Sequence, residues 1–167
     1  MINNLLVPRN LEGRKDKLKQ LNIKILSQEV IDGNLILDQS FMNIDVKFVK
    51  LKNINGNVML SGEQWIEIPE WLKDVEIEGD FHCSYNKLTS LKNCPQNIKR
   101  SFICTFNSLK TLKGCPEKIG FNFNCSNNKL TSLYNCPKNI DGIFWCVNNK
   151  LKLELPDIVK LRGSFYN

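Results

Sequence analysis

Five phenylalanines, Phe81, Phe102, Phe123, Phe144 and Phe165, recur at intervals of 21 residues. Other ladders keep the same interval: Cys83, Cys104, Cys125 and Cys146; Asn86, Asn107, Asn128 and Asn149; Leu88, Leu109, Leu130 and Leu151. A second cysteine ladder, Cys94, Cys115 and Cys136, is followed each time by proline. Ile77, Ile98, Ile119, Ile140 and Leu161 each stand four residues ahead of a phenylalanine. A unit this short cannot bury an apolar face alone, so it must stack on its neighbours. The rhythm therefore predicts a repeat solenoid.

The pattern extends upstream in weaker form. Ile77-Glu78-Gly79-Asp80-Phe81 matches Ile54-Asn55-Gly56-Asn57-Val58 and Ile31-Asp32-Gly33-Asn34-Leu35, at steps of 23 residues. Strands are expected to begin near residues 35, 58, 81, 102, 123, 144 and 165. At ~4.8 Å between parallel strands, about seven coils make a stack about 30 Å long. Residues 1–30 read as an N-terminal cap and 31–167 as the solenoid, with 23-residue coils to about 80 and 21-residue coils beyond. In the cap, Leu11, Leu18 and Leu21 share one helical face behind Asn10 as N-cap, and Ile23 and Ile25 alternate like the start of an edge strand.

The residue types within one coil suggest its path. Phe81-His82-Cys83 alternates with the period of a strand that buries one face. Asn86 ends the strand, where its carboxamide can hydrogen-bond turning backbone and form a ladder between coils. Leu88 and Leu91 point inward again, and Pro95 opposes a further helical turn on the return leg. Gly33, Gly56, Gly79, Gly142 and Gly163 recur before the strand and suit a sharp corner; Arg100 and Phe121 replace that glycine in two coils.

Composition narrows the chemistry. The 167 residues contain seven cysteines and one histidine. The cysteines alternate at spacings of 11 and 10 rather than in C-x-x-C pairs, so they read as reduced core residues and not as a zinc site. His82 lacks the partners of a catalytic triad, and Ser84 and Ser126 read as repeat residues. No phosphate-binding loop or paired-carboxylate constellation stands out. The expectation is a protein that is not an enzyme and holds no metal or cofactor. No run of 18 apolar residues exists, and Met1 to Asn10 show no secretion signal, so a reducing cytoplasm is expected.

Phe81, Cys83, Asn86 and Leu88 together fit the pattern L-x-L-x-x-N-x-L, and the chain resembles leucine-rich-repeat proteins of the short prokaryotic type. It is similar to the repeats of secreted bacterial effectors. It is closer to the bacteriophage and bacterial repeats marked by Leu88-Thr89-Ser90-Leu91 and Leu130-Thr131-Ser132-Leu133. The spacing from Ile77 to Phe81 is one residue longer than in the effector repeats. The resemblance implies a leucine-rich-repeat-like stack with one parallel β-sheet, irregular return legs and a small cap. It also implies a non-catalytic protein-binding module. A phage accessory protein of this kind would act in the host cytoplasm and inhibit a host defence or regulatory protein.

In strands whose Phe and Cys face inward, the residue between them faces out. That gives the row Ile36, Met59, His82, Ile103, Asn124, Trp145 and Tyr166, widened by Tyr85 and Phe106 and continued by Asn127 and Asn148. Ile36, Met59, His82, Tyr85, Ile103, Phe106, Trp145 and Tyr166 are the candidate partner-binding residues, with Tyr85, Phe106 and Trp145 as anchors. Trp65 and Trp71 are assigned to the filling of the wider third coil. Lys87, Lys129 and Lys150 align into a basic stripe. Net charge is +6, distributed as +4 over residues 1–24, −6 over 25–79 and +8 over 80–167. The basic C-terminal part admits nucleic acid as the alternative partner. A bare sheet edge at Phe165 and Tyr166 admits self-assembly, so the chain is expected to be a monomer or an end-to-end homodimer without membrane attachment.

Overall fold

The structure, a computed structural model, describes residues 11–60, 64–150, 155–157 and 159–167. The helix α1 (Leu11–Leu26) precedes a parallel β-solenoid of about six turns built from very short strands. In chain order these are β1 (Val30–Ile31), β2 (Leu35–Leu37), β3 (Asn53–Ile54), β4 (Val58–Leu60), β5 (Glu76–Ile77), β6 (Phe81–His82), β7 (Asn97–Ile98), β8 (Phe102–Ile103), β9 (Lys118–Ile119), β10 (Phe123–Asn124), β11 (Asn139–Ile140), β12 (Phe144–Trp145), β13 (Lys160–Leu161) and β14 (Phe165–Tyr166).

The even-numbered strands form the sheet that the phenylalanine rhythm predicts. Phe81 pairs with Phe102, Phe102 with Phe123, Phe123 with Phe144 and Phe144 with Phe165. The odd-numbered strands form a second parallel sheet of equal strand number, where Ile54, Ile77, Ile98, Ile119 and Ile140 align. The resemblance implies one sheet with irregular return legs; the return leg in fact supplies a second sheet. Each coil instead turns a tight corner between two strands, and both hydrogen-bond upward and downward.

Gly79 shows why the corner resists side chains. A Cβ there would stand 2.5 Å from the Gly56 carbonyl oxygen of the preceding coil. In the coil where Phe121 occupies the usual glycine position, glycine moves back by one residue. Gly120 then sits against the backbone of Lys99, and Phe121 turns outward. A polar ladder runs along this corner: Asn34 Oδ1 accepts from the Asn57 N–H, Asn57 Oδ1 from Asp80 and Asp80 Oδ1 from Ser101, each at 2.8 Å. The cysteine–proline turns are entered through left-handed backbone at Asn93 (φ 66°), Gly114 (φ 93°) and Asn135 (φ 65°), residue types that tolerate it.

The core is a column. Phe81, Phe102, Phe123 and Phe144 are fully buried, with ring centroids 4.9–5.6 Å apart from coil to coil. Cys83, Cys104 and Cys125, Leu88, Leu109 and Leu130, and the second-sheet isoleucines Ile77, Ile119 and Ile140 are likewise without exposed surface. Trp65 and Trp71 fill the wider third coil as expected, both buried.

The asparagine ladder closes the column on one side. Asn107 Nδ2 donates to the carbonyls of Cys104 (3.2 Å) and Thr105 (3.2 Å) in its own coil and of Cys83 (2.9 Å) in the preceding one. Its Oδ1 accepts from the Leu88 N–H at 3.0 Å. Asn86, Asn128 and Asn149 repeat the arrangement.

The cap differs from expectation. α1 continues to Leu26, so Ile23 and Ile25 are helical and not the start of a strand. Leu18 and Leu21 are 42% and 54% exposed, while Asn22 and Leu26 are buried. The last turns of α1 meet the first coil, where Asn22 Nδ2 donates to Ser40 Oγ at 2.7 Å. Leu18 stands one turn before that contact and Leu21 points away from the buried Asn22, so neither is covered; the Leu11 side chain and Asn10 lie outside the described residues.

The Asn107→Ala variant leaves buried carbonyls and the Leu88 N–H without partners. It should lose about 3–5 kcal/mol in urea unfolding, by the cost of breaking a buried hydrogen-bond network. Asn148→Ala, exposed and one residue before the half-buried ladder position Asn149, gives up the 3.0 Å bond to Asn127 and places alanine in left-handed backbone, and should cost only about 1–2 kcal/mol. Equal losses would contradict the central place of the ladder.

Candidate functional site

The outward row of the phenylalanine sheet is continuous. Ile36, Met59 and Tyr166 are exposed, and His82, Ile103, Asn124 and Trp145 are half-buried between their neighbours. Parallel pairing aligns Ile36 with Met59, Met59 with His82, His82 with Ile103, Ile103 with Asn124, Asn124 with Trp145 and Trp145 with Tyr166. The Trp145 and Tyr166 rings stack at 6.1 Å between centroids with 13° between planes.

Beyond the strand the backbone turns toward the buried asparagine through a residue in the left-handed region. These residues are Tyr85 (φ 56°), Phe106 (φ 53°), Asn127 (φ 57°) and Asn148 (φ 56°). Asparagine tolerates this conformation; a bulky aromatic residue is strained there by about 1–2 kcal/mol. Tyr85 and Phe106 are nevertheless 58% and 45% exposed, and their rings stack at 4.5 Å with only 8° between planes. Two exposed aromatic residues thus occupy positions for which the same protein elsewhere uses asparagine. Core packing does not require them.

The next outward row holds Lys87, Ser108, Lys129 and Lys150. Lys87 Nζ donates to Gln64 Oε1 and Lys129 Nζ to Ser108 Oγ, both at 3.0 Å, so these ammonium groups meet neutral acceptors. The arcs 81–93, 102–114, 123–135 and 144–150 carry Lys87, Lys92, Lys110, Lys113, Lys129 and Lys150 and no aspartate or glutamate. All six lysines are exposed. Among the described residues none of the six joins an ion pair. Three acidic residues of the same coils stand at the corner and on the return leg, paired with bases there: Asp141 with Arg162 at 3.3 Å, Glu117 with Lys138 at 2.7 Å and Asp80 with Arg100 at 3.9 Å. Alignment of the repeats places Lys87, Lys129 and Lys150 in one row; the acid-free character of the whole band follows from where the turns put the carboxylates.

His82 Nε2 lies 3.9 Å from Asp80 Oδ2. Ser84 Oγ donates to the Ile103 carbonyl at 3.3 Å and accepts from Thr105 Oγ1 at 3.0 Å, so it is held by the next coil and not by His82. Among the described residues, two clefts open on the return side. One, of about 280 Å³, is lined by Val46, Val49, Leu51, Glu70, Trp71, Lys73 and Asp74. The other, of about 450 Å³, includes Cys115, Cys136, Glu117, Lys138 and Tyr134. His82 belongs to neither.

All seven cysteines are free thiols, and Cys115 and Cys136 are the two that retain some exposure. Burial pushes the thiols up, to about 11 for Cys136 and Cys146 and well above the ordinary value for Cys83, Cys94, Cys115 and Cys125. Comparison of the chain with protein-family models, curated proteins and solved structures returned no match.

The raised thiols set a pH limit on stability. An unfolded thiol ionises near about 8.5, whereas the buried one stays protonated, so above that pH the unfolded chain binds fewer protons than the folded one. Stability is full below about pH 8.5 and falls as pH rises toward the folded values, with each buried thiol contributing up to about 1.4 kcal/mol per pH unit. Under reducing conditions the melting temperature should hold from pH 6 to about 8 and drop steeply from about 9 to 10.5. A Cys104→Ala/Cys125→Ala variant should show a shallower drop, even if its melting temperature is lower throughout.

Proposed function

We propose that the protein is a non-catalytic binding module that grips another protein with the outward face of its phenylalanine sheet and the adjoining turn. One observation carries this reading: Tyr85 and Phe106 are exposed, stacked on each other and held in left-handed backbone that asparagine occupies two coils away. Strained, solvent-facing aromatic residues are characteristic of binding sites, and aromatic residues dominate interface energetics. Trp145 and Tyr166 extend the same face toward the C-terminal coil. The repeat pattern supports kinship with short prokaryotic leucine-rich repeats, and the phage-type signature Leu-Thr-Ser-Leu supports an accessory protein that binds and inhibits a host defence or regulatory factor in the host cytoplasm.

The variant Tyr85→Asn/Phe106→Asn copies the residue found at Asn127 and Asn148, so it keeps the turn geometry while removing both rings. Its stability should remain within about 1–2 kcal/mol of the parent, because relief of strain offsets the lost ring contact. In capture from a bacterial host lysate, a partner retained by the parent in stoichiometric amount should fall by at least about tenfold with the variant. Undiminished capture of that same partner would remove the proposed face.

A further inference from the structure

We infer that the partner presents an acidic segment, with carboxylates that lie over the lysine band and an apolar side chain that packs beside Tyr85 and Phe106. This rests on the protein-binding reading and adds the chemistry of what is bound. Three features on the molecule converge on it.

The first is charge without compensation. The four arcs that carry these lysines contain no carboxylate, and among the described residues Lys87 and Lys129 donate to the neutral side chains of Gln64 and Ser108. Corner and return-leg bases of the same coils, Arg100, Lys138 and Arg162, have carboxylates beside them. A solvated surface without a partner has no reason to separate the two signs in this way. A cationic band with its anions kept to the other sides attracts and orients an acidic partner.

The second is spacing. Each coil advances the surface by ~4.8 Å, so Lys87 and Lys129 stand about 10 Å apart and Lys150 about 5 Å further on. An extended peptide rises about 3.3 Å per residue, so alternate or every-third carboxylates fall within reach of these flexible ammonium groups.

The third feature separates protein from nucleic acid. Base stacking needs free aromatic faces. The Tyr85 and Phe106 rings each spend one face on the other at 4.5 Å, and a base cannot enter between them. The edges of the stacked pair are the positive side of the aromatic quadrupole, which favours carboxylate oxygens over base stacking.

The test is fluorescence anisotropy with three labelled probes: a peptide of about 12 residues alternating glutamate with phenylalanine and leucine, its glutamine counterpart, and oligo(dT) of about 12 nucleotides. The parent should bind the glutamate peptide at least about tenfold more tightly than the glutamine peptide, and more tightly than oligo(dT). Affinity for the glutamate peptide should fall at least about fivefold between 50 and 300 mM salt. The variant Lys87→Gln/Lys129→Gln/Lys150→Gln should lose at least about fivefold for the glutamate peptide only, whereas Tyr85→Asn/Phe106→Asn should weaken both peptides. Circular dichroism melts of each variant establish that it is folded.

Equal affinity for the two peptides, or no binding of either at about 1 mM, overturns the inference. Tighter, salt-sensitive binding of oligo(dT) overturns it in favour of nucleic acid. A lysate partner that is lost with the aromatic variant but held equally by the lysine variant overturns the acidic segment while leaving the protein-binding reading intact.

Discussion

The inward-turned carboxamide that follows strands β6, β8, β10 and β12 is the contact on which the stack depends. A strand of two residues forms too few ladder bonds to hold its neighbour, and the chain must then turn inside a nearly dry column. An unsatisfied backbone group there would cost about 1–3 kcal/mol. Asn86, Asn107, Asn128 and Asn149 remove that cost by donating to carbonyls of two coils and accepting an N–H from the preceding one. Because every carboxamide needs the coil before it, the coils are stable only as neighbours, and the 21-residue interval cannot drift.

That constraint also shapes the surface. To bring Asn86 inward, the preceding residue has to take left-handed backbone, and its side chain is thereby thrown outward. The positions that build the core thus generate a regular outer rim. Where the rim needs only to turn, it carries Asn127 and Asn148, whose carboxamides bond to each other at 3.0 Å. Where it carries Tyr85 and Phe106, about 1–2 kcal/mol of strain per residue is accepted. The glycine corner acts at the other end of the strand: it excludes side chains at Gly79, and Asp80 and Asp141 stand beside it, apart from the arcs 81–93, 102–114, 123–135 and 144–150 that carry the lysines.

The repeat made the phenylalanine column, the cysteine and leucine interior, the asparagine ladder and the glycine corner legible before any coordinates, because each is a local residue type repeated in register. The outward row was legible for the same reason: in a strand that buries Phe81 and Cys83, His82 has to face away. The second sheet was not legible. Ile77, Ile98, Ile119 and Ile140 form a visible ladder, but two-residue strands show no alternation to mark them as strands. The corner ladder of Asn34, Asn57 and Asp80 was missed although its signal, a polar residue just after the corner glycine, lay in the aligned segments. In the cap, helical spacing of Leu11, Leu18 and Leu21 suggested a buried face where the structure exposes Leu18 and Leu21, because amphipathic spacing does not say how far the neighbouring coil reaches.

The sequence alone determined that coils stack, at what interval, and which side chains fill the column, since a repeated pattern can bury its apolar residues in only one way. Tertiary structure alone decided that both flanks of the corner become sheets, that Tyr85 and Phe106 lie against each other, and that the lysines of the rim stand apart from the carboxylates of the corner. Those outcomes depend on distances between residues of different coils. Such distances exist only once the backbone hydrogen bonds between coils have formed.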